Sequence, residues 1–394
     1  MRIIYYSPHP THDIVSEVGY STHQRETIGA MRKLGHEVIP VIMGGTEKSE
    51  VENYHADITR GGWRSLLKKS MPLCVKSSMK DYLLIQHDKR AAARLREAIE
   101  QHKPDLVYER NEFMQDKGLR VCREMRVKHF LEVNSPVVEE MREWEGKSIF
   151  HGLAHKKEKY KFNHTDHIFC VSSVLEKFIR EKYAAKKPVS IIPNCINPQK
   201  DLPGSEDSDS VKHECGANGR KIIGFVGSIF PYHGVDKLIK AFVRVHNDYP
   251  ESFLMIVGDG IMRRSYEKLA AEILKEGSYL FTGKIPHSLI MAYIGAFDIA
   301  VMPDSNWYGS PIKIFEYGIM ERPIVAPDNG PVRDVMQDRT DGLLVSNPNE
   351  ALEKALLWAL NHNEEMTQMG RNFKRKILEN YVWEKQAAFI LKHC

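Results

Sequence analysis

Residues Tyr308 to Ala326 read Tyr-Gly-Ser-Pro-Ile-Lys-Ile-Phe-Glu-Tyr-Gly-Ile-Met-Glu-Arg-Pro-Ile-Val-Ala. Ser310 followed by Pro311 predicts a helix start: a hydroxyl for the exposed N–H groups, then a ring suited to the first helical position. Ile312, Phe315 and Ile319 recur at helical spacing and predict one apolar face. Lys313 and Glu316 are three apart, so both project from the same side. Pro323 ends the run, and Ile324-Val325-Ala326 reads as a short buried strand. The expected product is a helix whose N-terminus points into a cleft, with a cation at its mouth and a carboxylate one turn deeper. Such an end attracts phosphate, and a carboxylate can accept both hydroxyls of a ribose. By spacing alone, Lys313 and Glu316 also read as an ordinary solvated pair.

A chain of 394 residues exceeds the size at which one core keeps growing, so two domains are expected. The expected boundaries give one domain over 1–200, a second over 201–379, and a closing helix over 380–394. With 56 basic and 52 acidic residues the net charge is +4, too mild to make nucleic acid the main partner. Six cysteines without a Cys-x-x-Cys pair suggest neither a disulfide framework nor a zinc site. No signal peptide opens the chain and no run approaches a membrane-spanning length, so a cytoplasmic protein is expected. Residues 58–80 hold Arg60, Arg64, Lys68, Lys69, Lys76 and Lys80 with no acid, interleaved with apolar residues such as Trp63 and Leu73. That pattern fits peripheral contact with an anionic lipid surface, and it also fits, somewhat better, a solvated helix–loop–helix interrupted at Pro72 whose apolar residues simply pack.

Ile3 to Tyr6 predicts a buried strand, and Gly19-Tyr20-Ser21-Thr22-His23 precedes a helix with Ile28, Met31 and Leu34 on one face. Gly35 is the expected left-handed cap before a second strand over Glu37 to Met43. Ligands in such βαβ sheets bind beyond the carboxyl ends of strands, which places Gly19 and His23 near any site. Lys128 to Val133 is a further strand, ending in Glu132-Val133-Asn134-Ser135-Pro136. Residues 199–221 are polar and predict a linker; its Asp207-Ser208-Asp209 spells a metal motif by coincidence. The pattern then restarts with a strand over Ile222 to Val226, the loop Gly227-Ser228-Ile229-Phe230-Pro231-Tyr232-His233-Gly234, and a helix with Val235, Leu238, Ile239, Phe242 and Val245 on one face. Its glycines let backbone approach a phosphate closely, but it is not Gly-x-Gly-x-x-Gly. Phe253 to Val257 followed by Gly258-Asp259-Gly260, and Phe281-Thr282-Gly283-Lys284-Ile285-Pro286, repeat strand into glycine turn.

These stretches resemble the retaining GT-B glycosyltransferases of the GT4 family (glycosyltransferase group 1). In that family the opening segment runs Glu-Gly-x-x-x-x-x-x-Glu before a Gly/Arg-Pro-Val-Val-Ala strand. Glu316 matches the second Glu, which the resemblance assigns to the ribose, and Gly309 matches the glycine. Tyr308 stands where the first Glu belongs, which touches donor contacts and turnover. Ser228 and His233 stand where the family has Arg and Lys, so more of the diphosphate charge falls to Lys313. Asn134 is the nearest match to the family's sugar-side histidine, and Lys284 lies in the segment whose backbone reads the base. Gly19 and His23 lie in the loop that resembles the acceptor side, where only one glycine of the family's pair is present.

The resemblance implies an α/β GT-B fold, two Rossmann-like domains facing across a cleft, and a retaining transfer from a UDP- or GDP-sugar to a glycan, lipid-linked or small-molecule acceptor. Lys313, Glu316 and Asn134 are the expected catalytic group. Gly227, Ser228, His233, Gly258, Lys284, Tyr308, Gly309, Ser310, Pro311, Ile312, Gly19 and His23 are the expected binding residues. No Asp-x-Asp strand end and no histidine cluster stand in the sequence, so no metal and no separate cofactor are expected. Two alternatives share the architecture: a sugar-nucleotide 2-epimerase and a non-catalytic sugar-nucleotide-binding subunit.

Overall fold

The computed structural model describes residues 1–16, 18–47, 72–200, 205–346 and 348–394. The chain divides into two compact units, Met1–Ile192 with Trp383–Cys394, and Pro193–Val382. The first is built on β1 (Arg2–Ser7), β2 (Glu37–Ile42), β3 (Leu106–Arg110), β4 (Lys128–Val133), β5 (His167–Cys170) and β6 (Val189–Ile191), in the order β2-β1-β3-β4-β5-β6. The second has β7 (Lys221–Val226), β8 (Ser252–Val257), β9 (Tyr279–Gly283), β10 (Ile299–Val301), β11 (Ile324–Pro327) and β12 (Leu343–Val345), in the order β12-β11-β10-β7-β8-β9. Every pairing in both sheets is parallel.

Parallel strands carry helices on both faces, so their residues are apolar on both sides rather than alternating. Ile3, Ile4, Tyr5 and Tyr6 of β1 are all fully buried. In β7, Ile222 and Val226 join one core cluster while Ile223 and Phe225 join the other, one on each side of the sheet. The helix Val235–Asp248 packs on β8 through Val235, Leu238, Ile239, Phe242 and Val245, all fully buried at helical spacing. Gly35, at φ 85°, ends the first helix, Gly19–Lys33, and lets the chain turn into β2.

Each strand order reverses once: between β1 and β3 in the first unit, and between β7 and β10 in the second. At such a point the connections leave in opposite directions and open a crevice at the carboxyl ends of the strands. The helix Ile312–Ile319 follows β10 and is pinned over the second reversal by Tyr317. The buried Tyr317 hydroxyl accepts a hydrogen bond from the Val226 N–H (3.0 Å) and donates to the Val301 carbonyl (3.4 Å), bridging the ends of β7 and β10. Gly318 allows close packing of the same helix on Asn363–Asn380: a methyl group there would lie 2.4 Å from Ile377 and 2.5 Å from Phe373.

Three local expectations are corrected. The helix begins at Ile312 with Pro311 outside it, and Ser310 does not cap it. The Ser310 hydroxyl instead accepts from the Asn194 N–H (2.9 Å), while the Asn194 amide donates to the Ser310 carbonyl (2.6 Å). Ile312 is 39% exposed, and Ile314, Phe315, Gly318 and Ile319 form the buried face instead. The polar linker contains a helix, Ser205–Glu214, that packs on Ile290–Ala296, so Asp209 belongs to a helix rather than a free acidic loop. Val211 gives this helix its place in the core. Among the described residues no helix is long and apolar enough to cross a membrane.

The Tyr317 hydroxyl gives a direct test of how the helix is anchored. Tyr317→Phe leaves the Val226 N–H buried without its partner, and should destabilise the protein by about 1–3 kcal/mol. Urea denaturation reads this out, and an unchanged midpoint would remove the bridge from the account.

Candidate functional site

At the β7–β10 reversal the loop after β7 is stitched to the loops after its neighbours. Gly227 donates to the Val257 carbonyl (2.9 Å), Ile229 to Asp259 (2.9 Å) and Gly258 to Gly283 (3.1 Å). Gly227 and Gly258 hold φ of 140° and 128°, values that favour glycine. A methyl group on Gly258 would meet the Gly227 carbonyl oxygen at 2.1 Å, so the two loops touch through bare backbone. A methyl group on Gly227 would lie 2.9 Å from Cε of Lys313. Lys313 thus reaches from the first turn of its helix across the glycine loop.

Its ammonium is held by an imidazole. Nδ1 of His233 donates to the Ser228 carbonyl, which leaves Nε2 to accept from Lys313 Nζ at 3.1 Å. Burial and then the nearby Lys313 charge lower the His233 pKa to about 3, so this ring is neutral at any physiological pH. Burial lowers the Lys313 pKa to about 8, with the charge of Glu316 opposing the fall. The Phe225 ring lies 5.4 Å from the ammonium. Among the described residues no carboxylate stands at ion-pair distance from Lys313. A half-buried cation so placed disfavours its own charge and is relieved by an incoming anion.

The structure brings Gly227, Ser228, His233, Gly258 and Lys313 together, with Glu316 one turn further along the helix and half-buried. Lys284 is exposed immediately after Gly283. Tyr308 packs edge-on against Trp307 (5.2 Å), and the Gly309 N–H is held by the Asn306 side chain (2.8 Å). Arg263 and Asp304 carry no local signal in the sequence. Arg263 Nη1 would lie 2.6 Å from a methyl group on Gly283, and Asp304 pairs with Lys237 at 2.5 Å beside Gly234.

In the first unit a second polar cluster lies at the β1–β3 reversal. Glu132 accepts from the Tyr108 hydroxyl (2.7 Å) and from the Asn134 amide (2.5 Å), and Arg110 Nη1 lies 3.3 Å away. His23 Nδ1 is 3.5 Å from the same carboxylate, its ring edge-on to Trp383 at 4.9 Å. Burial opposes ionisation of Glu132, but His23, Arg110 and the two hydrogen bonds outweigh it and hold its pKa below the ordinary value. Burial depresses His23. His23 is only 5% exposed, and Gly19 sits exposed at the helix start with open space around it. Glu132 was visible in the sequence beside Asn134, but Arg110, Glu112 and His12 join the cluster only through the fold. The sequence shows no histidine cluster, yet folding brings Glu112 against His9 and His12.

The comparisons with known proteins agree with this architecture. The family model of glycosyl transferases group 1 matches residues 209–376, and that of glycosyltransferase family 4 matches residues 19–200. The chain belongs to the group 1, family 4 glycosyltransferases. An uncharacterized glycosyltransferase of Methanocaldococcus jannaschii is 28% identical over 229 residues, 58% of this chain and 57% of that one. The chain spans about half the length of the curated relatives it matches. Sucrose-phosphate synthase from Thermosynechococcus elongatus has the same fold, with TM-score 0.74 and 15% identity over 100% of this chain and 98% of that one. So does the Anabaena protein HepE, solved in complex with UDP, with TM-score 0.71 and 12% identity over 100% and 99%. These likenesses establish a GT-B fold for the two six-stranded sheets.

The depressed Lys313 sets a pH test. While Lys313 is protonated in both folded and unfolded states its burial works against folding, and this penalty fades as pH rises from about 8 toward the unfolded value of 10.5. Lys313→Met should therefore stabilise the ligand-free protein at neutral pH, with the advantage shrinking toward pH 10. Thermal unfolding at both pH values checks the sign; a constant difference would show that Lys313 is not desolvated.

Proposed function

We propose that this chain transfers a glycosyl group from a nucleoside-diphosphate sugar, UDP- or GDP-linked, to a glycan, lipid-linked or small-molecule hydroxyl. The single observation that carries the proposal is Lys313, an ammonium held by a neutral imidazole over the glycine loop at the β7–β10 reversal. Bare backbone leaves room for a diphosphate, and the lysine supplies the positive charge that a departing nucleoside diphosphate needs. The neutralisation of the diphosphate is proposed to need no metal. Glu316 is assigned to the ribose hydroxyls, and the backbone beside Lys284 to the base. Tyr308, Gly309, Ser310, Pro311 and Ile312 shape the approach to the helix. The β1–β3 cluster, with Asn134, Gly19 and His23, is assigned to the acceptor. Retention of anomeric configuration follows the group 1 pattern. The Anabaena neighbour has been solved with UDP and with UDP-glucose, which supports a uridine donor.

A lipid-linked acceptor has some support from the surface. Of the basic segment 58–80, residues 58–71 lie outside the described residues. The described part opens the helix Leu73–His102, where Leu73, Val75, Met79, Tyr82 and Leu83 are exposed beside Lys76 and Lys80. That combination suits peripheral contact with an anionic membrane, and a cytoplasmic face is the setting proposed for it.

A second reading has its own observation. Tyr308 replaces the family's first glutamate, and neutral His233 and Ser228 replace its cations. A non-catalytic subunit would bind the nucleotide yet release none from its sugar. A thermal-shift panel of UDP, GDP, ADP and their sugars identifies the donor, and nucleotide release in the presence of acceptors separates the two readings.

Two substitutions test the assigned roles. Glu316→Ala should weaken nucleotide affinity by about 1–3 kcal/mol, the value of a buried hydrogen bond to a charged group; unchanged affinity in calorimetry would sink that assignment. Lys313→Ala should lower turnover more than nucleotide binding, and an equal turnover number would refute its place at the leaving group.

A further inference from the structure

We propose that His9, His12 and Glu112 of the first unit form a binding site for one divalent cation of the zinc class. His9 and His12 stand on the loop that leaves β1, and Glu112 stands two residues beyond β3. One donor atom from each lies within 4.8 Å of the others. A tetrahedral cation about 2.0–2.1 Å from its nitrogen and oxygen ligands holds them about 3.3–3.4 Å apart. Side-chain rotations that close the widest gap by up to about 1.4 Å complete the set.

The cluster is built rather than incidental. His12 Nδ1 lies 2.7 Å from Glu112 Oε1, a hydrogen bond that opens to about 3.3 Å when both atoms hold one tetrahedral cation. The His12 ring stacks between His9 (3.9 Å between centroids) and Tyr20 (4.3 Å), so the two imidazoles lie nearly parallel and must turn for their in-plane lone pairs to meet at one cation. His9 Nδ1 accepts from the Thr11 N–H (3.2 Å) and lies 3.0 Å from Thr11 Oγ1, so ligation through His9 Nε2 requires the ring proton to move to Nδ1 and to be donated there to Thr11 Oγ1. Lys161 donates to the Glu112 carbonyl (2.9 Å) and fixes the backbone that carries the carboxylate.

Positive charges work against a cation here: Lys161, bonded to the Glu112 carbonyl, and Arg110. Arg110 Nε lies 3.4 Å from Glu112 Oε1. The same guanidinium is also 3.3 Å from Glu132 Oε1, so it keeps a counter-ion when Glu112 turns to the metal. Glu112 is 6% exposed and the His12 side chain 24%, which leaves an entry path and room for water in the remaining positions. Two imidazoles, one carboxylate and open positions make a donor set that suits Zn²⁺ over Mg²⁺ or Ca²⁺, which prefer all-oxygen shells. The site lies in the other unit from Lys313, so the proposal is independent of the donor chemistry above.

The test titrates Zn²⁺ into the chelator-stripped full chain by calorimetry, in a His151→Asn background. That background removes the rival pair His151 and His155, whose Nε2 atoms are 3.1 Å apart on one helix. One equivalent should bind, weakened about tenfold or more by His12→Asn and by Glu112→Gln. X-ray absorption of the zinc-loaded background protein, which needs no change at the site, should show two imidazole ligands. Absence of saturable binding, fewer than two imidazoles, or unchanged affinity in both variants would overturn the proposal. UDP binding measured on the same samples reports separately on the Lys313 site.

Discussion

The arrangement at the β7–β10 reversal depends on one hydrogen bond, from the ammonium of Lys313 to the neutral imidazole of His233. An imidazole that gives its proton to a backbone carbonyl can only accept at its other nitrogen, so it orients the lysine without neutralising it. The charge is fixed in place yet left unsatisfied. A salt bridge would have held the side chain equally well and taken away its capacity for an anion. The fall in the Lys313 pKa is the measure of this compromise, and a phosphate nearby would reverse it.

The rest of the second unit serves to put that bond in one place. Parallel strands with reversed winding open a crevice beside β7, and the Tyr317 hydroxyl locks the helix Ile312–Ile319 across it. Gly227 and Gly258 press the neighbouring loops together so that backbone, not side chain, lines the space under Lys313. Gly318 lets the helix sit close against Asn363–Asn380. A side chain added at any of the three would move the lysine or fill the space it overlooks.

How much of this was legible depended on whether the interaction was local. The five-residue apolar face of Val235–Asp248, the left-handed Gly35 and the strand Lys128–Val133 follow from spacing and turn chemistry, and the structure keeps them. Ser310 was misread because its hydroxyl is claimed by Asn194, 116 residues earlier, a partner that no local rule anticipates. Ser205–Glu214 looked like a linker because its polar residues mask the buried Val211. Lys313 and His233 could each be singled out, but their direct contact across 80 residues could not. The first unit's cluster was least legible: Arg110 and Glu112 carry no local signal that joins them to Glu132 until β1, β3 and β4 set them side by side.

A crystal structure of the chain with UDP tests the central claim most directly. The account predicts diphosphate oxygens within hydrogen-bond distance of Lys313 Nζ and of the Gly227–Ser228 backbone. A diphosphate bound elsewhere, with Lys313 engaged only by His233, would contradict it.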